Sequence, residues 1–509
     1  MDALSGLLYG FSVALTVQNL LACFIGVLVG TLVGVLPGIG PIGAMALLIP
    51  ATFAFDPTTA IIMMAGIYYG AQYGGSTTSI LVNVPGEATT VITTIEGYQM
   101  AKKGRAGAAL ASAAVGSFVA GTLGLVGLQL FAPVLAEAAL SFGPPEYFAL
   151  TVLGLLLLSR LGGGSLVKAF MMVGFGLVLG TVGMEAMTGY SRFTLGRLEL
   201  LQGIDFVPVA MGLFGIAEVL FMAEQITDLK SVASVKLREL FPTATEWARA
   251  LPAMLRGTGV GFFIGLVPGP AAVLSTFVAY TVEKRVSRRK HEFGKGAIEG
   301  VAGPESANNA ASAGAMVPLL ALGIPFAPAT AMLLGALMIH GVEPGPLLMQ
   351  DRPDVFWGVV ASMYLGNIML LVLNLPLVGV FANVLRTPKH ILTALIVLFC
   401  LVGTYSVNNS VLDLVVLVTM GVAGYVLRKL SFDLAPLVLA LVLGPMMERT
   451  FSQSMIMSHG SLAIFVDRPI TLVLLSLGLL AVLLPWLIPT VWKRVAQEAT
   501  PSSSAGTAV

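Results

Sequence analysis

Residues 26–41 read GVLVGTLVGVLPGIGP, with glycines at 26, 30, 34 and 38 and a proline at 37. The spacing returns at Gly257, Gly261, Gly265 and Gly269 with Pro268, every position shifted by 231 (257 − 26 = 268 − 37). Glycine makes up 58 of the 509 residues, yet five coincidences at one offset, proline included, mark an internal repeat. A small residue every fourth position lets a second helix backbone approach closely. The Pro-Gly pair then ends the helix, because proline lacks an N–H and glycine tolerates unusual dihedrals. A helix broken inside a bilayer is tolerated only where protein or a polar cavity surrounds it. Two such breaks in corresponding halves point to a transporter.

Composition supports the membrane reading. The chain is 57% hydrophobic and 10% charged, with a mean hydropathy of +0.92. No soluble protein of this length needs so much apolar surface. A net charge of +1 gives no case for nucleic-acid binding. Cys23 and Cys400 lie in apolar segments and suggest neither a disulfide nor a metal site. Residues 1–10 carry no basic n-region, so no removable signal peptide is expected.

Outward from the quoted stretch, residues 42–55 resume a helix and 58–72 form another. The run YGGSTTSILVNVPGEATT (73–90) is rich in Gly, Ser, Thr and Asn and contains a proline. It is expected to form no unbroken helix but a re-entrant hairpin with its tip on a cavity. Apolar segments follow at 107–136, 146–160, 166–187 and 205–223, then the polar linker 224–249. The plan repeats with a striped helix at 250–267, a break at Pro268-Gly269-Pro270, and a small-residue run 299–330. In that run Ile324-Pro325 mirrors Val84-Pro85 at an offset of 240 (325 − 85). Further spans lie at 355–385, 391–407, 410–427, 434–447 and 470–491, and Asp205-x-x-Pro208 is echoed by Asp433-x-x-Pro436.

Charge relates the halves. Lys102, Lys103 and Arg105 follow the first hairpin, whereas the basic loop 283–295 precedes the second. With both loops cytoplasmic by the positive-inside rule, the hairpins enter from opposite sides. The expected fold is an all-α polytopic membrane protein. It has two inverted-topology repeats with broken helices, re-entrant hairpins and roughly 10–12 transmembrane segments. The expected units are repeats 1–223 and 250–494, joined by the linker 224–249 and followed by a disordered tail, 495–509.

The candidate site combines both breaks with both polar runs: Pro37, Gly38 and Gly40; Gly74, Gly75, Ser76, Thr77, Thr78, Asn83, Pro85 and Gly86; Pro268 and Gly269; Asn308, Asn309, Ser312, Gly314 and Pro325. Half-helix N-termini attract anions, and unwound carbonyls suit Na⁺. None of these stretches contains Arg or Lys, so dipoles and amides would hold an anion. A lone Ser or Thr in such a helix more often satisfies a helix–helix hydrogen bond; two clusters placed symmetrically beside breaks favour a site. Glu87 and Glu305 have two readings, as cation-binding carboxylates or as residues at a cavity mouth. Tyr68, Tyr69 and Tyr73 line a path or pack. The four scattered histidines form no metal constellation, and Ser165 has no catalytic partners at recognisable spacing.

The runs GVLPGIGPIGAMALLIP, GIYYGAQYGGSTTSILVNVPGEATTVITTIEGYQMAKKGRAGAAL and FGKGAIEGVAGPESANNAASAGAMVPLLALGIP closely resemble the large permease subunit of tripartite tricarboxylate transporters, the TctA type. The resemblance covers essentially the whole chain. It implies a secondary transporter of the bacterial inner membrane, not an enzyme and without a cofactor. Such a permease works with a small membrane subunit (TctB type) and a periplasmic solute-binding protein (TctC type). Together they import a carboxylate such as citrate, driven by Na⁺ or H⁺. The family's motif positions carry over as Pro37, Gly38, Gly40, Tyr69, Gly74, Gly75, Ser76, Asn83, Pro85, Gly86, Pro304, Glu305, Asn308, Asn309 and Pro325. Two positions depart from the pattern: Pro270 follows the second break, and Phe326 stands where glycine is usual. The alternative from another class is a passive channel without ion coupling.

Overall fold

The computed structural model describes residues 3–36, 39–161, 165–185, 187–224, 240–377 and 389–487. Pro37, Gly38, most of the expected linker and the expected tail lie outside them. The glycine stripe sets the first contact. After a leading helix α1 (Ala3–Ala14), α2 (Val17–Val35) runs parallel to α4 (Pro57–Val82). Gly26, Gly30 and Gly34 lie on the backbone carbonyls of Met63, Ile67 and Ala71, where a Cβ would collide. Gly66, Gly70 and Gly74 return the contact from α4 onto the backbone of α2. In the second half, α10 (Ala244–Gly265) meets α12 (Glu299–Leu322) in the same way. Gly257, Gly261 and Gly265 lie on the carbonyls of Gly303, Ala307 and Ala311. One partner shifts by 231 and the other by 240, so the contact itself is repeated.

The expectation for 73–90 needs correction. Residues 73–82 continue α4 as regular helix, and the break comes at Asn83, which is left-handed with φ 61°. The Gly and hydroxyl content does not break the helix because protein encloses it: residues 58–81 are all buried. The second polar run likewise stays helical across 299–322 and breaks at Gly323, φ 71°. These two helices, 26 and 24 residues long, reach about 39 and 36 Å at 1.5 Å per residue.

The re-entrant elements therefore begin later than the sequence suggests. After Asn83 the chain climbs back beside α4, placing Gly86 against Gly75, and turns through Ala88–Thr90 into α5 (Val91–Lys102). Both α4 and α5 run antiparallel to α12, since Ser76 and Thr93 bond Glu305 while Gln72 bonds Ser312. The second half repeats the device with residues 323–327 and α13 (Pro328–Ile339). The cap repeats too: the Glu87 and Ala327 N–H groups donate to the hydroxyls of Thr90 and Thr330 at 3.3 and 3.1 Å.

The glycine-striped helices are also hairpins. Only residues 53–56 separate α3 (Gly40–Thr52) from α4, so α3 returns to the face where α2 and α4 begin. On the opposite face, Arg249 at the start of α10 pairs with Glu292 and with Glu299 at the start of α12. Nearby, α11 (Ala271–Val286) ends with Glu283 paired to Arg256. Lys103 and Arg105 reach the same face through Lys295 and Glu246, so the two basic loops touch. The helix α10 begins at Ala244 because Thr243 and Glu246 form a capping box, six residues before the expected start.

The other helices surround this centre. They are α6 (Ala106–Ala139), α7 (Pro144–Leu161), α8 (Leu166–Gly180), α9 (Phe206–Glu224, with a π-turn), α14 (Pro353–Asn374), α15 (Lys389–Asn408), α16 (Val411–Lys429), α17 (Ala435–Met457) and α18 (Pro469–Leu487). A two-stranded hairpin, β1 (Gly183–Met184) with β2 (Ser191–Arg192), joins α8 to α9. Asp205 and Asp433, paired in sequence, both cap helices by accepting an N–H two residues on. Here α8 packs on α17 as α16 packs on α9. Five helices, α2, α6, α9, α14 and α16, are each long and apolar enough to cross a membrane. Leu395, Val415, Val422, Val473 and Leu477 are exposed on the outer helices, as lipid contact requires.

Candidate functional site

Residues beside the four breaks line one cavity of about 550 Å³. Its wall contains Gly40 at the start of α3, Ala88 and Thr89 before α5, Ala271 starting α11, and Pro328 starting α13. Ala435, starting α17, adds a fifth helix N-terminus. The first turn of a helix has N–H groups without intrahelical partners, and its dipole end is positive. Several such ends aimed at one space favour an anion. The break backbones are held together: Gly269 N–H donates to the Phe326 carbonyl at 2.8 Å.

Side chains add asymmetry. Arg428, from the last turn of α16, lines the cavity and pairs with Glu218 of α9 at 2.5 Å, its guanidinium 4.4 Å from the Phe221 ring centre. Tyr68, Gln72, Glu87 and Asp433 complete the polar part of the wall. Behind it lies a buried layer between α4 and α12. Gln72 donates to Ser312 at 2.5 Å, Ser76 to Glu305 Oε2 at 2.5 Å, and Thr93 to Glu305 Oε1. Gln72 and Ser312 differ by 240, so one pair of repeat-related positions meets there. Both ends of the Asn308 amide are buried and make no close hydrogen bond among the described residues.

The cavity reaches towards the basic face. The Glu224 end of α9 pairs with Lys429, next to cavity-lining Arg428, at 2.7 Å. Lys168 at the start of α8 donates to the Leu430 carbonyl at 2.6 Å. At the tip of the first re-entrant element Asn83, Pro85 and Ala88 are exposed, whereas residues 324–327 of the second are all buried.

Comparison with known proteins agrees with this architecture. The model of the tripartite tricarboxylate transporter TctA family matches residues 20–439. The chain belongs to the tripartite tricarboxylate transporter TctA family. It is thus a large transporter subunit of the TctA type, a transport rather than an enzyme family. A 52.8 kDa protein of Agrobacterium vitis, described as uncharacterised and encoded in the TAR-I ttuC' 3' region, is 48% identical over 491 residues, 96% of this chain and 97% of its own. A second, from the TAR-II ttuC' 3' region of the same organism, is 46% identical over 231 residues, 45% of this chain and 95% of its own. No solved structure matches.

Within this TctA-family chain, the expected site residues divide by place. Gly40, Pro85 and Gly86 line the cavity, and Pro37 and Gly38 lie outside the described residues. Pro268 and Gly269 stand beside cavity-lining Pro270, and Pro325 is buried in the second tip. Ser76, Glu305, Asn308 and Ser312 form the layer behind the wall. Asn309 turns away to Ser117 of α6 at 2.7 Å. Gly74 and Gly314 sit in the helix–helix contacts, and Gly75 seats Gly86 and Glu87. Thr78 bonds the Val35 carbonyl at 2.5 Å, tying α4 to the end of α2. Thr77 faces a small separate pocket, and Asn83 ends α4. Tyr68 faces the cavity, while Tyr69 packs behind it edge-on, ring centres 5.6 Å apart. Gln72, Thr93, Glu218 and Arg428 were missing from the sequence-based set. The 240 offset linking Gln72 to Ser312 was a signal for one of them; nothing local marks the others.

Proposed function

We propose that the chain is the large membrane subunit of a binding-protein-dependent secondary transporter. It imports an organic di- or tricarboxylate such as citrate across the bacterial inner membrane, coupled to Na⁺ or H⁺. The observation that carries this reading is the cavity where five helix N-termini and Arg428 converge. That arrangement offers helix-dipole partial charge and the Glu218-paired Arg428 guanidinium to a substrate carboxylate, with Glu87 and Asp433 also on the wall. The two halves form an inverted-topology repeat: α4 and α12 run antiparallel, and their re-entrant elements reach the cavity from opposite faces. The basic face, carrying Lys103, Arg105 and Lys284–Lys290, is cytoplasmic by the positive-inside rule. The cavity is then open inward, with the second tip as the closed outer gate. A periplasmic solute-binding protein delivers substrate to the outer face, and a small membrane subunit completes the complex.

The test is uptake of labelled citrate and a panel of dicarboxylates into proteoliposomes holding this chain and the small subunit, with binding protein outside. Accumulation that requires both the binding protein and a Na⁺ or proton gradient is expected. Equilibration without either one would replace this reading with the passive channel.

A further inference from the structure

Four buried carboxylates surround α12, and three have conventional partners. Glu299 pairs with Arg249 at 2.7 Å and Glu283 with Arg256 at 2.6 Å. Glu96 accepts N–H groups of Gly296 and Ala297 at 2.7 and 2.8 Å and the Tyr280 hydroxyl at 2.7 Å. Glu305 differs. It is 1% exposed, and among the described residues its oxygens meet only the hydroxyls of Ser76 and Thr93. A buried carboxylate with hydroxyl donors alone lacks the countercharge that burial demands.

Among the described residues its surroundings supply oxygen and no cationic side chain. One turn along α12, Asn308 is 1% exposed and its amide, beside the Glu87 carboxylate, makes no close hydrogen bond among the described residues; the Gln72 side-chain oxygen likewise makes none. Tyr73 is already committed to Asn367 at 2.8 Å, while Glu87 acts on Glu305 electrostatically from the cavity side. Oxygen ligands without nitrogen or sulfur select a hard cation. Glu305 carries one negative charge and so balances a single positive charge at the Ser76 and Thr93 hydroxyls, while Glu87 lines the cavity. A proton on Glu305 would neutralise it but leave the amide oxygens of Asn308 and Gln72 unsatisfied.

The geometry points to Glu305 as the anchoring carboxylate of a Na⁺ site, completed by the Ser76 and Thr93 hydroxyls and the Asn308 amide. Its ligands come from α4, from the first re-entrant helix α5 and from α12, so the ion joins the two halves directly behind the cavity. This assignment rests on the proposed function for its role as the driving ion, but not for its occupancy.

The experiment is ²²Na⁺ binding to the purified full chain in nanodiscs, with thermal stability followed as NaCl replaces choline chloride. Wild type should bind Na⁺ saturably, not displaced by K⁺, and gain stability with it. Glu305→Gln should lose both effects. Thr93→Val should raise the half-saturating concentration about tenfold or more, the loss typical when a group supporting a metal ligand is removed. Thr93→Val also serves if Glu305→Gln fails to fold. Unchanged Na⁺ binding in these variants would overturn the site, as would a wild type that responds to pH and not to Na⁺. Binding is read without transport, so a wild type that binds Na⁺ at Glu305 yet accumulates no carboxylate would overturn the transport reading alone.

Discussion

The two re-entrant elements share a frame and differ in state. Each leaves a long buried helix at a left-handed residue, Asn83 or Gly323, and each caps its next helix with a threonine 240 positions from its counterpart. The first tip exposes Pro85 and Ala88 to the cavity, whereas residues 324–327 of the second are buried, with Gly269 bonded to the Phe326 carbonyl. The frame is repeated backbone packing, which is indifferent to direction. The chemistry is not repeated: Glu87 has Ala327 as its counterpart. Arg428 ends α16, while α8, its opposite number in packing, has no basic residue in its last turn. A repeated scaffold can thus hold an asymmetric charge pattern, with one tip exposed and the other buried.

Breaking the asymmetric element should have the largest effect. Arg428→Ala removes the cation facing the cavity and strands Glu218, whose side chain is 8% exposed; breaking a buried pair costs about 3 kcal/mol. Carboxylate uptake should fall about 10- to 100-fold, the loss of one charge-assisted hydrogen bond worth about 1.5–3 kcal/mol. Adding Glu218→Gln should restore thermal stability and leave uptake low. Recovery of uptake in the double variant would show that Arg428 serves the fold alone.

Breaking the shared frame should affect both halves alike. Gly30→Ala and Gly261→Ala each place a Cβ on a neighbouring carbonyl, and overpacking of this kind costs about 1–3 kcal/mol. Matched losses of melting temperature in detergent are expected. A large loss in one half and none in the other would contradict the repeated contact. The smallest effects concern the turns. Gly323→Ala introduces a Cβ at positive φ and against the Pro344 carbonyl, so it should destabilise by about 1 kcal/mol or more, while Asn83→Gly should be nearly neutral.

Much of the frame was legible in the sequence, because periodic glycines and Pro-Gly breaks report on backbone sterics that act locally. The striped helices, their ends and the 231 and 240 offsets all followed from that. The polar runs were misread because Gly and Ser in water or lipid destabilise helix, whereas here 73–82 and 299–322 are enclosed by other helices on all sides. Composition does not state what encloses a helix. Arg428 escaped the sequence reading, since its place at the cavity depends on α16 packing against α9, a contact between residues 210 positions apart. Glu305 was legible as a costly buried acid, but its hydroxyl partners on α4 and α5 were not.

Cysteine accessibility tests the central claim, two gates around one cavity, most directly. With Cys23 and Cys400 buried as background, Ala88→Cys and Ala327→Cys are treated from either side with a membrane-impermeant maleimide. Without substrate, Ala88→Cys should react readily from the basic face, and Ala327→Cys, on the cavity wall but only 8% exposed, should react much more slowly from that face and not from the other. With carboxylate, cation and binding protein on the opposite face, reaction at Ala88→Cys should fall as that at Ala327→Cys from that face appears. Both positions reacting together, each from its own face, would reveal a continuous pore and contradict the account.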